Sequence, residues 1–184
     1  MKTSVNELSS KQREIVMKLI DAGFQLTEIP NPDLTPEEVY AVCFSDIFEV
    51  DLERLLGIGE DAYDFIIDLV IKGYDFEYLI QMLEDLKEVE GAEPLVYLNA
   101  ASRLDSNTFE ELYEEGYDGL QLYTIAEGFE NDVDVTIHIT PEYDIDQIEQ
   151  IATALIYDVD MSLVNDVNLS REEMEEIINE AAFC

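Results

Sequence analysis

The sequence predicts an all-α protein made of repeated units of about 26 residues, each a long helix, a turn and a short second helix. Three observations lead there. An echo runs from Tyr117 to Ile177: Tyr117-Asp118, Tyr143-Asp144 and Leu169-Ser170 follow one another at a constant step of 26 residues, and the apolar positions Leu122, Ile148, Met174 and Ile125, Ile151, Ile177 keep that step. Each copy also opens a helix in the same way. Asp118, Asp144 and Ser170 are N-cap residues, the residue before each cap is apolar and staples the entering chain, and Gln147 and Glu173 complete capping boxes. The N-terminal half repeats the same start, since Leu34 stands 26 residues after Leu8.

In chain order, Ser9 and Gln12 are spaced as a capping box, and Ile15, Val16, Leu19 and Ile20 continue with helical spacing to a stop at Gly23. Leu34-Thr35-Pro36-Glu37-Glu38-Val39 carries a staple, a cap, a proline at the first helical position and a capping-box glutamate, so a second long helix begins there. The second element of each unit recurs as Phe24-Gln25-Leu26, Val50-Asp51-Leu52, Tyr74-Asp75-Phe76, Val133-Asp134-Val135 and Val159-Asp160-Met161, with the middle Asp as cap of a short helix. The last two copies are β-branched and are compatible with short extended pieces, but the better helix formers in the same slot favour helix. Gly57-Ile58-Gly59 precedes a third helix that starts at Glu60-Asp61 and runs through Tyr63, Ile66, Ile67 and Val70. From Lys87 to Asn107 the period breaks at Gly91 and Pro94, with an apolar run Leu95 to Leu98 of undetermined type. Ser106 is expected to cap a helix through Phe109 and Leu112 to Gly116. The chain reads as a single helical-repeat domain, 1–184, with 87–107 as a degenerate unit or joint.

With 184 residues, 47% hydrophobic and 10% aromatic, the chain has the material for a packed core, which an acidic disordered tail lacks. The formal net charge is −35, with 9 basic residues against 44 acidic ones. A folded chain of this size exposes on the order of 9,000 Å², or roughly one net charge per 260 Å². B-DNA carries on the order of one charge per 110 Å². The mean density is therefore roughly 40% of the DNA value, and one face could match it. Nucleic acid and anionic membranes repel such a surface, and basic protein surfaces attract it. No run of about 20 apolar residues is present to span a membrane. Met1 to Ser10 has no signal-like apolar core, and Cys43 and Cys184 do not form a disulfide framework, so a cytoplasmic location is expected. Cys43 lies in an apolar helical run and reads as a buried thiol, while Cys184 is expected to be frayed.

Chemistry-bearing motifs are sparse. No glycine-rich phosphate loop is present, and His138 is the single histidine, which leaves little material for a metal centre or a histidine-based triad. His138 reads as a satisfied, partly buried side chain. Asp132-Val133-Asp134 and Asp144-Ile145-Asp146 resemble cation loops only in part, since the central glycine and terminal glutamate are missing. No catalytic residue, cofactor or metal is expected.

What remains is the charge. Between Arg103 and Arg171 there is no Lys or Arg. The candidate partner-binding residues in and beside this stretch are Glu110, Glu111, Glu114, Glu115, Glu127, Glu130, Asp132, Glu142, Asp146, Glu149 and Asp158. Asp118 and Asp144 are also acidic but are explained as caps. Glu110, Glu111, Glu114, Glu115, Glu127, Glu130 and Glu149 have no structural role visible in the sequence. The plain alternative is a solvated acidic face.

Ile125-Ala126-Glu127-Gly128-Phe129-Glu130-Asn131-Asp132-Val133-Asp134-Val135, then Pro141-Glu142-Tyr143 and Gln147-Ile148-Glu149-Gln150-Ile151, resembles a helical repeat of Gram-positive bacteria and their phages that reads Gly-Leu-Asp-Val, a proline-bearing turn, then Gln-Met. The resemblance covers residues 117 to 178 well and 8 to 56 fairly, fails across 87 to 107, and implies no activity. In size, composition and charge the chain also resembles the DNA-mimicking antirestriction and anti-CRISPR inhibitors of phages and mobile elements. That likeness implies a non-enzymatic inhibitor of a defence nuclease, a CRISPR nuclease such as Cas9 or a restriction enzyme, in a bacterial host cell. The alternative is a helical-repeat adaptor for a basic protein, without nucleic-acid mimicry.

Overall fold

The computed structural model describes residues 4–183, so Cys184 lies outside them. The described residues are all-α, with ten α-helices, three one-turn 3-10 helices and no strand. The chain divides into two compact units, 1–91 and 92–184, and the boundary falls inside the stretch where the sequence period breaks.

The first unit contains α1 (Ser10–Asp21), α2 (Pro36–Phe48), a single turn α3 (Leu52–Leu55), α4 (Glu60–Lys72) and α5 (Phe76–Lys87). Ser9 and Thr35 cap α1 and α2 with complete capping boxes to Gln12 and Glu38. α1 packs on α2, and α2 packs on α3 and α4. The core between them is aromatic. Phe44 and Tyr63 are fully buried, their ring centroids are 5.3 Å apart, and Phe44 lies another 5.3 Å from Phe76. Phe48 stacks on Phe76 at 3.9 Å. Cys43 is 1% exposed, and burial pushes its thiol pKa up to about 12, so it is an inert core side chain.

The second unit contains α6 (Pro94–Arg103), α7 (Ser106–Glu115), α8 (Gly119–Glu130), α9 (Ile145–Ile156) and α10 (Arg171–Phe183). The undetermined run at 95–98 is thus the first half of α6, started by Pro94 at the first helical position. Asp105, not Ser106, caps α7. Its carboxylate accepts from the Thr108 N–H at 3.2 Å and the Thr108 hydroxyl at 2.6 Å, which leaves Ser106 as the first helical residue. α6 lies along α8, and Gly119 permits it: a Cβ there would stand 2.8 Å from the Tyr97 ring. α8 packs on α9 and α9 on α10. Leu122, Ile125, Ile148, Ile151 and Met174 are fully buried along this series. In the last copy Ile178 rather than Ile177 completes the seam, since residues three and four apart share a helix face.

The short second elements differ from copy to copy. Val133 to Val135 and Val159 to Met161 lead into one-turn 3-10 helices, Thr136–His138 and Met161–Leu163, rather than extended pieces. Asp134 and Asp160 accept from the Thr136 and Ser162 N–H groups, each at 3.0 Å, which bends the chain into a turn before a strand can form. Asp75 instead starts the full-length helix α5, whereas Phe24 to Leu26 form no helix. One backbone feature keeps the period within each unit. Gly23 and Glu49, then Asp132 and Asp158, follow the same four helices with positive φ (93°, 56°, 60° and 54°), so each helix ends in a left-handed residue. After α8 and α9 the reversal is closed by Val133 N–H to Gly128 and Val159 N–H to Ala154, each 2.9 Å.

Candidate interaction surface

The acidic candidates lie on the second unit, where 23 carboxylates meet two arginines, a net charge of −21. The first unit has 21 carboxylates against seven basic residues, a net of −14. The helix frame decides where each candidate stands. Glu111, Glu114 and Glu115 are exposed on the C-terminal half of α7, and Glu149 is exposed on α9. Glu142 is exposed in the turn before α9. Asp132 and Asp158 are exposed and occupy the left-handed positions after α8 and α9, so each has a backbone role as well as a charge. Among the described residues these seven carboxylates form no ion pair.

The other four candidates are already engaged. Glu110 is half-buried and has partners of its own. Glu127 and Glu130 were expected to be free of structural work, but they flank Arg103, whose Nη1 stands 3.7 Å and 3.4 Å from their carboxylates. Arg103 is further fixed by its Nη2 donating to the Tyr123 hydroxyl at 2.9 Å and by its guanidinium lying 4.3 Å from the Tyr123 ring centre. Asp146 accepts from Arg171 at 2.9 Å. The two arginines that bound the Lys/Arg-free stretch in sequence therefore reach into it in space and neutralise its flanks.

A pair of buried glutamines fixes the entries of α8, α9 and α10. Gln121, which the sequence reading passed over, closes the capping box of α8: its Oε1 accepts from the Asp118 N–H at 2.8 Å. Its Nε2 then donates to the Pro141 carbonyl at 3.0 Å and the Tyr143 carbonyl at 2.6 Å, in the segment that enters α9. Gln147 repeats this one period on, with the Asp144 N–H at 2.9 Å and the Val167 and Leu169 carbonyls at 2.9 and 2.7 Å. Tyr117 adds a parallel tie, its hydroxyl donating to the Ile139 carbonyl at 3.1 Å. The entries of α8, α9 and α10 are thus bonded one to the next, and the exposed carboxylates on α9 and the turns ride on that frame, while α7 packs against α6 and α8.

The sequence reading also passed over two exposed aliphatic side chains. Ile137 (77% exposed) and Leu163 (49% exposed) stand one 26-residue step apart, each on a one-turn 3-10 helix. His138 beside Ile137 is half-buried. Among the described residues no group of three or more His, Cys, Asp or Glu is arranged to hold a metal ion, and no helix is long and apolar enough to cross a membrane. No protein-family profile matches this chain, and no curated protein or solved structure was found to match it.

Proposed function

We propose that this chain is a non-enzymatic acidic inhibitor that occupies the nucleic-acid-binding channel of a bacterial defence nuclease, a CRISPR or restriction enzyme. The observation that carries this reading is the excess of exposed, unpaired carboxylates on a hydrogen-bonded helical frame whose own arginines are spent. Glu111, Glu114, Glu115, Glu142 and Glu149 would stand in for phosphates and accept charge-assisted hydrogen bonds from Arg and Lys of the target. A preset array does so without the entropy that a flexible acidic tail loses on binding. Long-range attraction would make association fast and strongly dependent on salt.

The test is competition with guide RNA or target DNA for a purified CRISPR nuclease and a panel of restriction enzymes. Changing Glu111, Glu114, Glu115, Glu142 and Glu149 to Gln removes five charges and no cap. Inhibition should fall by at least about tenfold, with the loss greatest at low salt. Unchanged inhibition by that variant, or binding indifferent to salt, would defeat the reading.

A second reading has its own observation. Ile137 and Leu163 repeat at one position and are exposed in both copies, and a phosphate mimic has no use for apolar contacts. An adaptor for a basic protein does, because an aliphatic side chain at the centre of a contact excludes water from the surrounding ion pairs. Under this reading, Ile137→Ser with Leu163→Ser would weaken the part of the binding that survives high salt, and the partner would lack a nucleic-acid-binding surface.

A further inference from the structure

The third helical residue sits in the same place in five helices: Gln12 in α1, Glu38 in α2, Gln121 in α8, Gln147 in α9 and Glu173 in α10. In one respect all five behave alike. The side-chain oxygen accepts from the backbone N–H of the cap residue, at 2.7, 2.7, 2.8, 2.9 and 2.8 Å. Glutamine and glutamate are interchangeable for that bond.

In a second respect they divide. Each glutamine uses both hydrogens of its amide on carbonyls 20 and 22 residues later: Gln12 on Pro32 and Leu34, Gln121 on Pro141 and Tyr143, Gln147 on Val167 and Leu169. The later carbonyl of each pair belongs to the residue just before the next cap, Thr35, Asp144 or Ser170. The three glutamines are 3%, 6% and 6% exposed, so the carbonyls they bind have little access to water. An ionised carboxylate cannot make these bonds. It has no hydrogen to donate, and it would set a negative charge against two acceptors. Glu38 and Glu173 are not buried, and no such bond leaves them. After Glu38 the period lapses, because residue 61, where the next cap would fall, is already inside α4. The carbonyl of Leu8, which precedes the first cap and has no upstream glutamine, is taken instead by Arg13 at 3.2 Å.

We infer that this position is the coupling switch of the repeat: glutamine locks the next capped helix onto its own, and glutamate closes the helix cap while ending the series. The rule does not depend on the proposed function. It makes α2 and α10 the last helices joined by this bond in their own series, because a carboxylate at Glu38 or Glu173 has no hydrogen to give a later carbonyl. It also makes Gln121 and Gln147 the positioning residues that set the register of the acidic helices.

The experiment compares Gln147→Glu with Glu173→Gln in the full chain, by thermal melting and by hydrogen exchange. Both substitutions keep the capping box, and only the first removes the bridge. Gln147→Glu should lower the melting temperature by roughly 5–10 °C and raise exchange at least about tenfold in residues 167–178, the segment it holds. Glu173→Gln and Glu38→Gln should stay within about 2 °C of the parent. If Gln147→Glu does not fold, Gln147→Met, which also lacks the N–H donors but adds no charge, should show the same localised gain in exchange. A near-neutral Gln147→Glu, a Glu173→Gln that costs as much as Gln147→Glu, or exchange gains spread evenly over α8, α9 and α10 would overturn the inference.

Discussion

α1 and α2 in the first unit and α8, α9 and α10 in the second open with the same capping boxes, and the two units then fill the space behind them differently. In the first unit the rings of Tyr40, Phe44, Phe48, Tyr63 and Phe76 form a continuous stack with neighbouring centroids between 3.9 and 6.3 Å apart. Three of its cations are tied into ion pairs: Arg54 to Glu77 and Glu84, Lys11 to Glu60, Lys18 to Asp64. In the second unit aliphatic side chains recur at one period, two buried glutamines link three successive caps where the first unit has the single link of Gln12, and only Arg103 and Arg171 oppose 23 carboxylates. The contrast shows how a repeat can change its packing and charge without changing its local grammar. One copy of the pattern trades periodicity for a dense aromatic core. The other keeps periodicity and places uncompensated charge on it.

The largest expected effect tests the aromatic side of that contrast. Phe44→Ala removes a ring with 0% exposure from the centre of the stack. It should cost about 3–5 kcal/mol, the sum of lost transfer energy and an unfilled cavity. Ile148→Ala, equally buried in the second unit, should cost about 2–4 kcal/mol. Denaturant titration followed by hydrogen exchange in α4 and in α9 reads each separately. If Phe44→Ala proves the milder of the two, the first unit does not rest on its ring stack.

The same contrast explains which parts of the molecule were legible in the sequence. Caps, staples and the 26-residue step are local or periodic, so Asp118, Asp144, Ser170 and the apolar series could be read directly. The ring stack joins α2 to α4 and α5 with no period, and it exists only in the folded chain. Ion pairs fell between these cases. Arg103 reaches Glu127 and Glu130, 24 and 27 residues on, and Arg171 reaches Asp146, 25 residues back. Stacked repeats bring together residues about one period apart, so looking one step away from each cation would have found all three carboxylates. Gln121 was missed for a different reason. As a capping residue Gln equals Glu, and the donor that separates them serves carbonyls one repeat away, which a search for local motifs does not reach.

An intermediate effect tests the charge side. Self-repulsion grows with the square of net charge, so at similar size the −21 unit should carry roughly twice the electrostatic strain of the −14 unit. Raising sodium chloride from about 20 to about 300 mM should raise the melting temperature, because screening shortens to well below the size of a unit. Exchange protection in α9 should gain more than that in α4. Equal gains, or a larger gain in α4, would mean that the carboxylates of the second unit are neutralised by some means beyond Arg103 and Arg171.

The smallest effect concerns one carboxylate of the first unit and runs in the opposite direction with pH. Partial burial pushes the Asp64 carboxyl upward, but the Tyr40 hydroxyl at 2.5 Å and the Lys18 ammonium at 2.9 Å outweigh it and hold its pKa below the ordinary carboxylate value. A folded-state pKa below the unfolded one, about 3.9, adds stability that is fully present above that value. It is lost as pH falls through the lowered folded value, where the carboxylate must take a proton to the detriment of both bonds. The side chain is 56% exposed, so solvent screening limits the contribution to below about 1 kcal/mol. General acidification also relieves repulsion over the whole surface, and it does so equally in a variant that differs only at this bond. The difference between parent and Tyr40→Phe therefore isolates it. The denaturation midpoints should be furthest apart near pH 5 and converge towards pH 2. Midpoints that stay parallel across that range would show that Asp64 gains nothing from Tyr40.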